Sequence, residues 1–136
     1  MKEYRNSQGQ LHRLDGPARE HSDGTMDWYQ NGQFHRLDGP AIEHPDGTQE
    51  WFQNNQLHRL DGPAVERADG TKYWYQNGQL HRTNGPAVER VNNRHAWYIH
   101  GHNITDQVEP WIKQNHYTWP FDPDVQAEFT LRFYIQ

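Results

Sequence analysis

NGQFHRLDGPAIEHPDGTQEWFQ, residues 31–53, recurs along most of the chain at a spacing of 23 residues. Three further copies occupy residues 8–30, 54–76 and 77–99. The four copies are identical at eight positions, which in the quoted stretch are Gln33, His35, Arg36, Gly39, Pro40, Ala41, Glu43 and Trp51. Self-similarity at a fixed period predicts an array of structural repeats in which each copy packs against its neighbours.

Two turn signals divide each copy into strands. Asn31-Gly32 suits a two-residue hairpin turn with positive φ angles, and Pro45-Asp46-Gly47 suits a longer turn that ends in a left-handed glycine. Residues 48–53 and 41–44 are then predicted as the two main strands, and residues 35–40 as a bent connection between them. The pattern predicts an all-β meander of hairpins.

Side chains alternate between the two faces of a strand, so the adjacent aromatic residues of each copy are predicted to point to opposite faces. The first set is the tryptophan column, Trp28, Trp51, Trp74 and Trp97. We expect it to form the buried side, together with Leu11, Phe34, Leu57, Leu80, Ile42, Val65 and Val88. The second set is the Tyr/Phe column, Tyr29, Phe52, Tyr75 and Tyr98, which we expect to be the more exposed one.

The two ends of the chain differ from the repeats. Residues 2–7 match the register of residues 25–30 with Arg5 and Asn6 in place of Trp and Tyr, which predicts a polar cap strand. A fifth hairpin turn falls at His100-Gly101, so the array is assigned to residues 1–103 and a small C-terminal helical cap to residues 104–136. Within the cap, helices are predicted to start at Ile104-Thr105-Asp106 and at Asp122-Pro123-Asp124, while residues 129–135 fit either a helix or a strand.

Composition narrows the function classes. Only 32% of the residues are hydrophobic, which predicts a thin structure, while 13% aromatic residues and a strict period argue against disorder. A net charge of -5 from mixed residues signals no nucleic-acid-binding surface, and the lack of cysteine excludes disulfides and thiol catalysis. No apolar stretch is long enough for a membrane span or a secretory signal, so a soluble cytoplasmic protein is predicted.

Trp74-Tyr75-Gln76-Asn77-Gly78, followed by His81, Gly85, Ala87 and a turn near Asn92-Asn93, resembles the MORN repeat, which also has 23 residues. The resemblance implies a single-layer, curved and twisted sheet of β-hairpins that binds proteins, or phospholipids, and it implies no catalytic residue. The HRLDGPA segment at residues 12–18 departs from the usual glycine-x-glycine and is similar to repeats in uncharacterised proteins of bacteriophages and giant viruses. A viral origin would place the protein in the host cytoplasm, where it would interfere with a host process.

The recurring His-Arg pairs are His12-Arg13, His35-Arg36, His58-Arg59 and His81-Arg82. Equivalent residues of neighbouring hairpins lie ~10 Å apart, whereas two nitrogens on one zinc lie within ~4 Å, so no metal or other cofactor is predicted for this column. The structural interpretation is that each Arg pairs with an Asp or with the repeat's Glu, and each His bonds a turn carbonyl. The alternative is that these Arg and His side chains form a ladder that binds phosphates or acidic side chains. A metal-chelating role for His95, His100 and His102 is a weaker alternative.

Every plausible acid, base and cation recurs along the array, whereas an enzyme site is one convergent constellation, so binding is favoured over catalysis. We therefore predict a non-catalytic scaffold that binds a protein partner, including a host protein. The predicted contacts are Tyr29, Phe52, Tyr75 and Tyr98 as anchors and Arg13, Arg36, Arg59 and Arg82 for polar register. Two alternatives stay open: nucleic-acid or nucleotide binding through the Arg/His ladder with aromatic stacking, and a small hydrolase around His100, His102 and nearby carboxylates. Exposed edge strands or the cap would also permit a homodimer.

Overall fold

The computed structural model describes residues 1–135, which form short strands followed by helices. The strands β1 to β16 are, in chain order, Lys2–Glu3, Arg19–Glu20, Met26–Asp27, Tyr29–Gln30, Gln33–Phe34, Ile42–Glu43, Gln49–Glu50, Phe52–Gln53, Gln56–Leu57, Val65–Glu66, Lys72–Tyr73, Tyr75–Gln76, Gln79–Leu80, Val88–Glu89, Tyr98–Ile99 and His102–Asn103. The helices are α1 over Thr105–Gln114, α2 over Pro123–Phe129, and a π-helix over Thr130–Tyr134.

All strand pairs are antiparallel. Eight strands form one sheet in the order β1-β2-β3-β6-β7-β10-β11-β14, which follows the chain without a crossover. The other strands form separate hairpins, β4-β5, β8-β9, β12-β13 and β15-β16. The predicted all-β class, built of hairpins with a small helical segment at the C-terminus, is confirmed.

Each strand predicted around a tryptophan is divided in two at that residue. Gln49–Glu50 belong to the large sheet, whereas Phe52–Gln53 pair within their own hairpin. Trp51 joins the two ladders, because its N–H donates to the Ala64 carbonyl at 2.6 Å and its carbonyl accepts from the His58 N–H at 3.0 Å. Trp28 and Trp74 make the same two backbone bonds, whereas the Trp97 N–H donates to the Thr105 hydroxyl.

The predicted turns are confirmed by their backbone angles. Asn31 and Gly32 have φ of 50° and 80°, and His100 and Gly101 have 47° and 80°, which are the left-handed values that a two-residue hairpin of this type requires. Gly47 ends the longer turn at φ 95°. A fifth hairpin therefore follows the four repeats before the helices begin.

The assignment of the apolar residues to the tryptophan face is wrong. Tyr29 pairs with Phe34 in the hairpin, with ring centroids 4.3 Å apart, and Phe34 also contacts Phe52 at 5.0 Å. Directly paired residues share a face in an antiparallel ladder, so Phe34, Leu57 and Leu80 lie with the Tyr/Phe column. Val65 lines a shallow groove together with Leu57 and Tyr75.

The predicted difference in exposure between the two aromatic columns is not found. Each column has one buried member, Tyr29 at 8% and Trp97 at 1% exposure, and the other three members of each column are half-buried. The strand splits at the tryptophan, and this brings the hairpin residues over the aliphatic face of the sheet. The Tyr/Phe column is therefore packed against other apolar side chains.

The register of the N-terminal strand also differs from the prediction. The Tyr4 N–H donates to the Ala18 carbonyl at 2.7 Å, as the Trp28 N–H does to the Ala41 carbonyl, so Tyr4 takes the tryptophan position that was assigned to Arg5. The first hairpin turn, residues 7–9, is one residue longer than Asn31-Gly32, and this shifts the strand by one position.

The C-terminal helices close the end of the array. Asp122 caps α2 by accepting from the Val125 N–H at 2.9 Å, as the sequence predicts. Residues 130–134 form a π-helix, so the alternative prediction of a strand is wrong. Trp97, Val108, Trp111 and Phe129, each at most 4% exposed, form the main core between the last hairpin and the helices. Within residues 1–135, neither α-helix has the length and apolar character needed to cross a bilayer.

Candidate functional site

Each repeat holds an arginine flat against an aromatic ring. The guanidinium carbon of Arg36 lies 3.9 Å from the centre of the Trp28 ring, and the same contact joins Arg59 to Trp51 at 3.9 Å and Arg82 to Trp74 at 3.8 Å. Arg13 lies 4.1 Å from the Tyr4 ring. We call these contacts the arginine stacks, and the HRLDGP-type segments that carry the arginines, residues 12–17, 35–40, 58–63 and 81–86, the repeat loops.

The rest of each repeat loop holds the arginine in place. Arg36 donates to the Pro40 carbonyl at 3.0 Å, to Asp38 at 3.2 Å and to Glu43 at 3.0 Å. A Cβ atom at Gly39 would lie 2.6 Å from the Arg36 guanidinium carbon, so any larger residue would have to displace the arginine from this position. The ion pairs that the sequence predicts are confirmed, because three of the four arginines pair with the aspartate of their loop and Arg36 and Arg82 also pair with the glutamate of their repeat.

Burial is greatest around the last arginine. Burial lowers the pKa of Arg82, and its 2.6 Å hydrogen bond to Glu89 acts in the opposite direction. Asn84 takes the place of the aspartate in this loop and accepts from Arg82 at 3.0 Å. The guanidinium therefore keeps its partners although the loop has lost a charge.

The repeated histidines bond the next hairpin turn through a backbone N–H, so the predicted bond to a carbonyl is wrong. Nδ1 of His12, His35, His58 and His81 accepts from Asn31, Asn54, Asn77 and His100, at 3.0, 3.1, 3.0 and 2.9 Å. Accepting at Nδ1 requires the neutral ring with its proton on Nε2. Burial, and secondarily the nearby His100, lowers the pKa of His81, which favours this neutral form.

Neighbouring repeat loops enclose open clefts. The Trp28 cleft, of about 530 Å³, lies between residues 13–16 and 35–38 with Trp28 in its wall. The Trp74 cleft, of about 420 Å³, lies between residues 60–63 and 81–84 with Trp74 in the equivalent place. Both volumes are within the usual range of ligand pockets.

A row of exposed leucines borders these clefts. Leu14, Leu37 and Leu60 are 76%, 69% and 74% exposed, and they occupy the same position of three successive repeat loops. We call them the leucine row. The fourth loop has Thr83 at this position, and Gln126 of α2 donates to the Thr83 carbonyl at 2.8 Å. Exposed apolar side chains in a repeated pattern are typical of an interaction surface.

The structure does not bring the predicted anchors and the predicted arginines together. Arg36 bonds Glu43, and the neighbouring Ile42 points to the other face of the sheet, where the Tyr/Phe column lies. Within that column Tyr29 is buried and accepts from Arg19 at 3.1 Å, Phe52 packs on Phe34, and Tyr75 and Tyr98 are half-buried. The two predicted sets thus belong to different faces.

Two features of the site were not identified from the sequence. The leucine row was visible as the 23-residue recurrence of a leucine between Arg and Asp, but it was treated as part of a bent connection. Trp119 packs into the fourth repeat loop from the cap, which no pattern indicated. A repeated apolar residue inside an otherwise polar loop is the signal that would have found the first.

The histidines outside the repeat pattern contact different aromatic rings. The ring of His100 stacks on His81 with centroids 4.2 Å apart, whereas His95 meets the edge of Trp119 at 5.6 Å. In the part of the chain that the structure describes, no three His, Asp or Glu side chains are grouped as metal ligands would be.

Comparison with known proteins finds no match to this chain among family models, curated proteins or solved structures. Its function is therefore argued from its geometry.

Proposed function

We propose that the chain is a non-catalytic repeat scaffold of the MORN-like type, with a single-layer curved array that binds a protein partner through its repeat loops. The leucine row is the observation that supports this proposal most directly. Its three leucines are exposed, whereas Tyr29, Val65 and Val88 of the same array are buried. Because the HRLDGPA segment is similar to viral repeats, a host protein is the first class of partner to test. Binding would then block the surface of that host protein.

The energetics favour a protein interface on this face. Fully burying one leucine side chain contributes about 1.5–3 kcal/mol, so covering the leucine row provides several kcal/mol before the costs of association. The arginine stacks keep the loops rigid, which limits the ordering cost on binding. The leucines thus form an apolar strip on a fixed frame.

Charge on the same face argues against the nucleic-acid alternative. Asp15, Asp38 and Asp61 expose 89%, 90% and 84% of their side chains beside the leucines. The repeat-loop arginines are already engaged by aromatic rings, carbonyls and carboxylates. A phosphate backbone would meet the carboxylates first and would be repelled, whereas a protein surface with apolar and basic groups would be attracted.

A triple substitution of the leucine row tests the proposal. Leu14→Ser, Leu37→Ser and Leu60→Ser together should abolish capture of a partner from the native host, identified by cross-linking and mass spectrometry, while the unfolding midpoint changes little. Leu131→Ser is the matched control, because Leu131 is 67% exposed and belongs to the C-terminal cap rather than to a repeat loop. A folded triple variant that captures the same partners would show that this face is not the interface.

The Tyr/Phe column, which the sequence predicts as the anchor set, is tested in the same assay by Phe52→Ala with Tyr75→Ala. Loss of capture in this variant while it remains folded at the assay temperature, together with unaffected capture by the triple leucine variant, would transfer the interface to the opposite face. Because Phe52 packs on Phe34, we expect this double variant to lose stability as well.

A further inference from the structure

Trp119 of the C-terminal cap fills the space between the fourth repeat loop and Trp97. Its indole Nε1 donates to the Asn84 carbonyl at 3.3 Å, and its ring lies 5.4 Å from the Arg82 guanidinium carbon. The same ring meets Trp97 edge-on with centroids 6.5 Å apart. A Cβ atom on Gly85 would lie 2.9 Å from Nε1, so the ring edge is in close contact with that glycine.

The space filled by Trp119 is equivalent to the two open clefts. Asn84, Gly85 and Trp97 correspond by the 23-residue step to Asp61, Gly62 and Trp74, which line the Trp74 cleft. Three steps back they correspond to Asp15, Gly16 and Trp28, which line the Trp28 cleft. In the open clefts the arginine of the next repeat loop stacks on the tryptophan, whereas Trp97 has Phe121 stacked on it. The space beside the loop glycine is filled by Trp119 in the last repeat and is open in the Trp28 and Trp74 clefts.

We propose that the Trp28 and Trp74 clefts bind aromatic side chains of the protein partner, with tryptophan as the preferred residue, and that Trp119 is the chain's own version of that ligand. The inference rests on the proposed binding function and specifies the chemistry that the partner presents. The partner segment carries an exposed indole that enters a cleft while its neighbouring residues cover the leucine row.

The contacts of Trp119 show why an indole suits this place. Arg82 lies between two rings, with Trp74 at 3.8 Å and Trp119 at 5.4 Å. In the Trp28 cleft, Arg13 has Tyr4 on one face, so an incoming indole would supply the second ring. The indole N–H would find the carbonyl of Asp15 or Asp61 where Trp119 finds that of Asn84, a hydrogen bond that phenylalanine cannot make.

The cap also shows how a partner would cover the rest of the loop. Beside Trp119, Gln126 covers the fourth loop by its bond to Thr83, the position at which the other loops expose their leucines. Polar contact suits the threonine, and an apolar contact would suit Leu14, Leu37 and Leu60. Leu14 and Leu37 line the Trp28 cleft and Leu60 lines the Trp74 cleft, so a partner segment that fills either cleft would also contact the leucine row.

A titration of the full chain tests the inference directly. Isotopically labelled protein is titrated with a synthetic peptide that copies residues 115–123, NHYTWPFDP, and separately with N-acetyl-tryptophanamide, while the indole and amide signals are followed by NMR. We expect saturable shifts at Gly16 and Trp28 and at Gly62 and Trp74. A peptide with alanine in place of the tryptophan should bind at least tenfold more weakly.

Chemical rescue gives a second readout. Trp119→Ala empties the occupied cleft, and added indole should raise the unfolding midpoint of this variant more than that of the wild-type chain. The absence of saturable shifts in the wild-type titration, or equal binding of the alanine peptide, would overturn the inference. The leucine variant tests the proposed function separately. If it loses capture, the proposed function holds even when the indole experiments fail, and if it retains capture, binding through the repeat loops is refuted regardless of the indole experiments.

Discussion

Removal of one arginine stack should destabilise the array far more than removal of an exposed arginine. In Arg59→Ala the chain loses the contact with Trp51 at 3.9 Å, the hydrogen bond to the Pro63 carbonyl at 3.1 Å and the ion pair with Asp61 at 3.0 Å. The stack contributes about 1 kcal/mol in a half-buried setting, and the charged hydrogen bond about 1.5 kcal/mol. The pair with the exposed Asp61 adds less than about 1 kcal/mol, so we expect a loss of about 3 kcal/mol.

Urea unfolding followed by tryptophan fluorescence and circular dichroism measures this loss as a fall in the midpoint. Arg59→Lys should recover less than half of it, because an ammonium keeps the charge but not the flat, forked guanidinium. Arg67→Ala is the control, since Arg67 is exposed and lies 4.9 Å from the Tyr73 ring, and it should cost less than about 0.5 kcal/mol. If Arg59→Ala and Arg67→Ala unfold at the same urea concentration, the arginine stacks do not stabilise the repeats as argued.

Three further perturbations test other parts of the structure. Gly39→Ala should cost stability, up to the loss caused by Arg36→Ala, because the added Cβ would displace the guanidinium from its place over Trp28, and an unchanged urea midpoint would contradict this. Phe129→Ala should cost about 3–5 kcal/mol because the ring is fully buried, whereas similar calorimetric midpoints for Phe129→Ala and Leu131→Ala would refute the assigned core. His81 has a lowered pKa in the folded chain, so its contribution to stability is complete above the unfolded value of about 6.5 and is lost as the pH falls through the folded value. The difference in unfolding free energy between the wild type and His81→Asn should therefore change over this pH window. A constant difference would show that the buried histidine is not responsible.

Local patterns predicted the elements whose cause is local. The turn at Asn31-Gly32 and the cap at Asp122 depend on residues adjacent in sequence, and both were predicted correctly. The pairing of Arg36 with Asp38 and Glu43 also joins residues within one repeat. These features could be read because the interacting groups lie within seven residues of each other.

The errors arose where a local rule was extended over a longer distance. Alternation along residues 48–53 assumes one straight strand, but the strand divides at Trp51, and this moved Leu57 and Val65 to the face of the Tyr/Phe column. Tyr4 replaced Arg5 at the tryptophan position because one turn is longer by a residue. The leucine row was missed for the same reason, because the exposure of Leu37 depends on how its loop packs against the rest of the array.

The amino-acid sequence by itself determined the 23-residue repeat, its turns, its internal ion pairs and the change to helices after the fifth hairpin, because each follows from interactions within one repeat. Only the tertiary structure decided which apolar side chains accompany each aromatic column, which leucines are left exposed and where Trp119 docks. The bond from Trp119 to Asn84 joins residues 35 positions apart, and such a contact depends on the packing of the cap against the array, which leaves no periodic trace in the sequence.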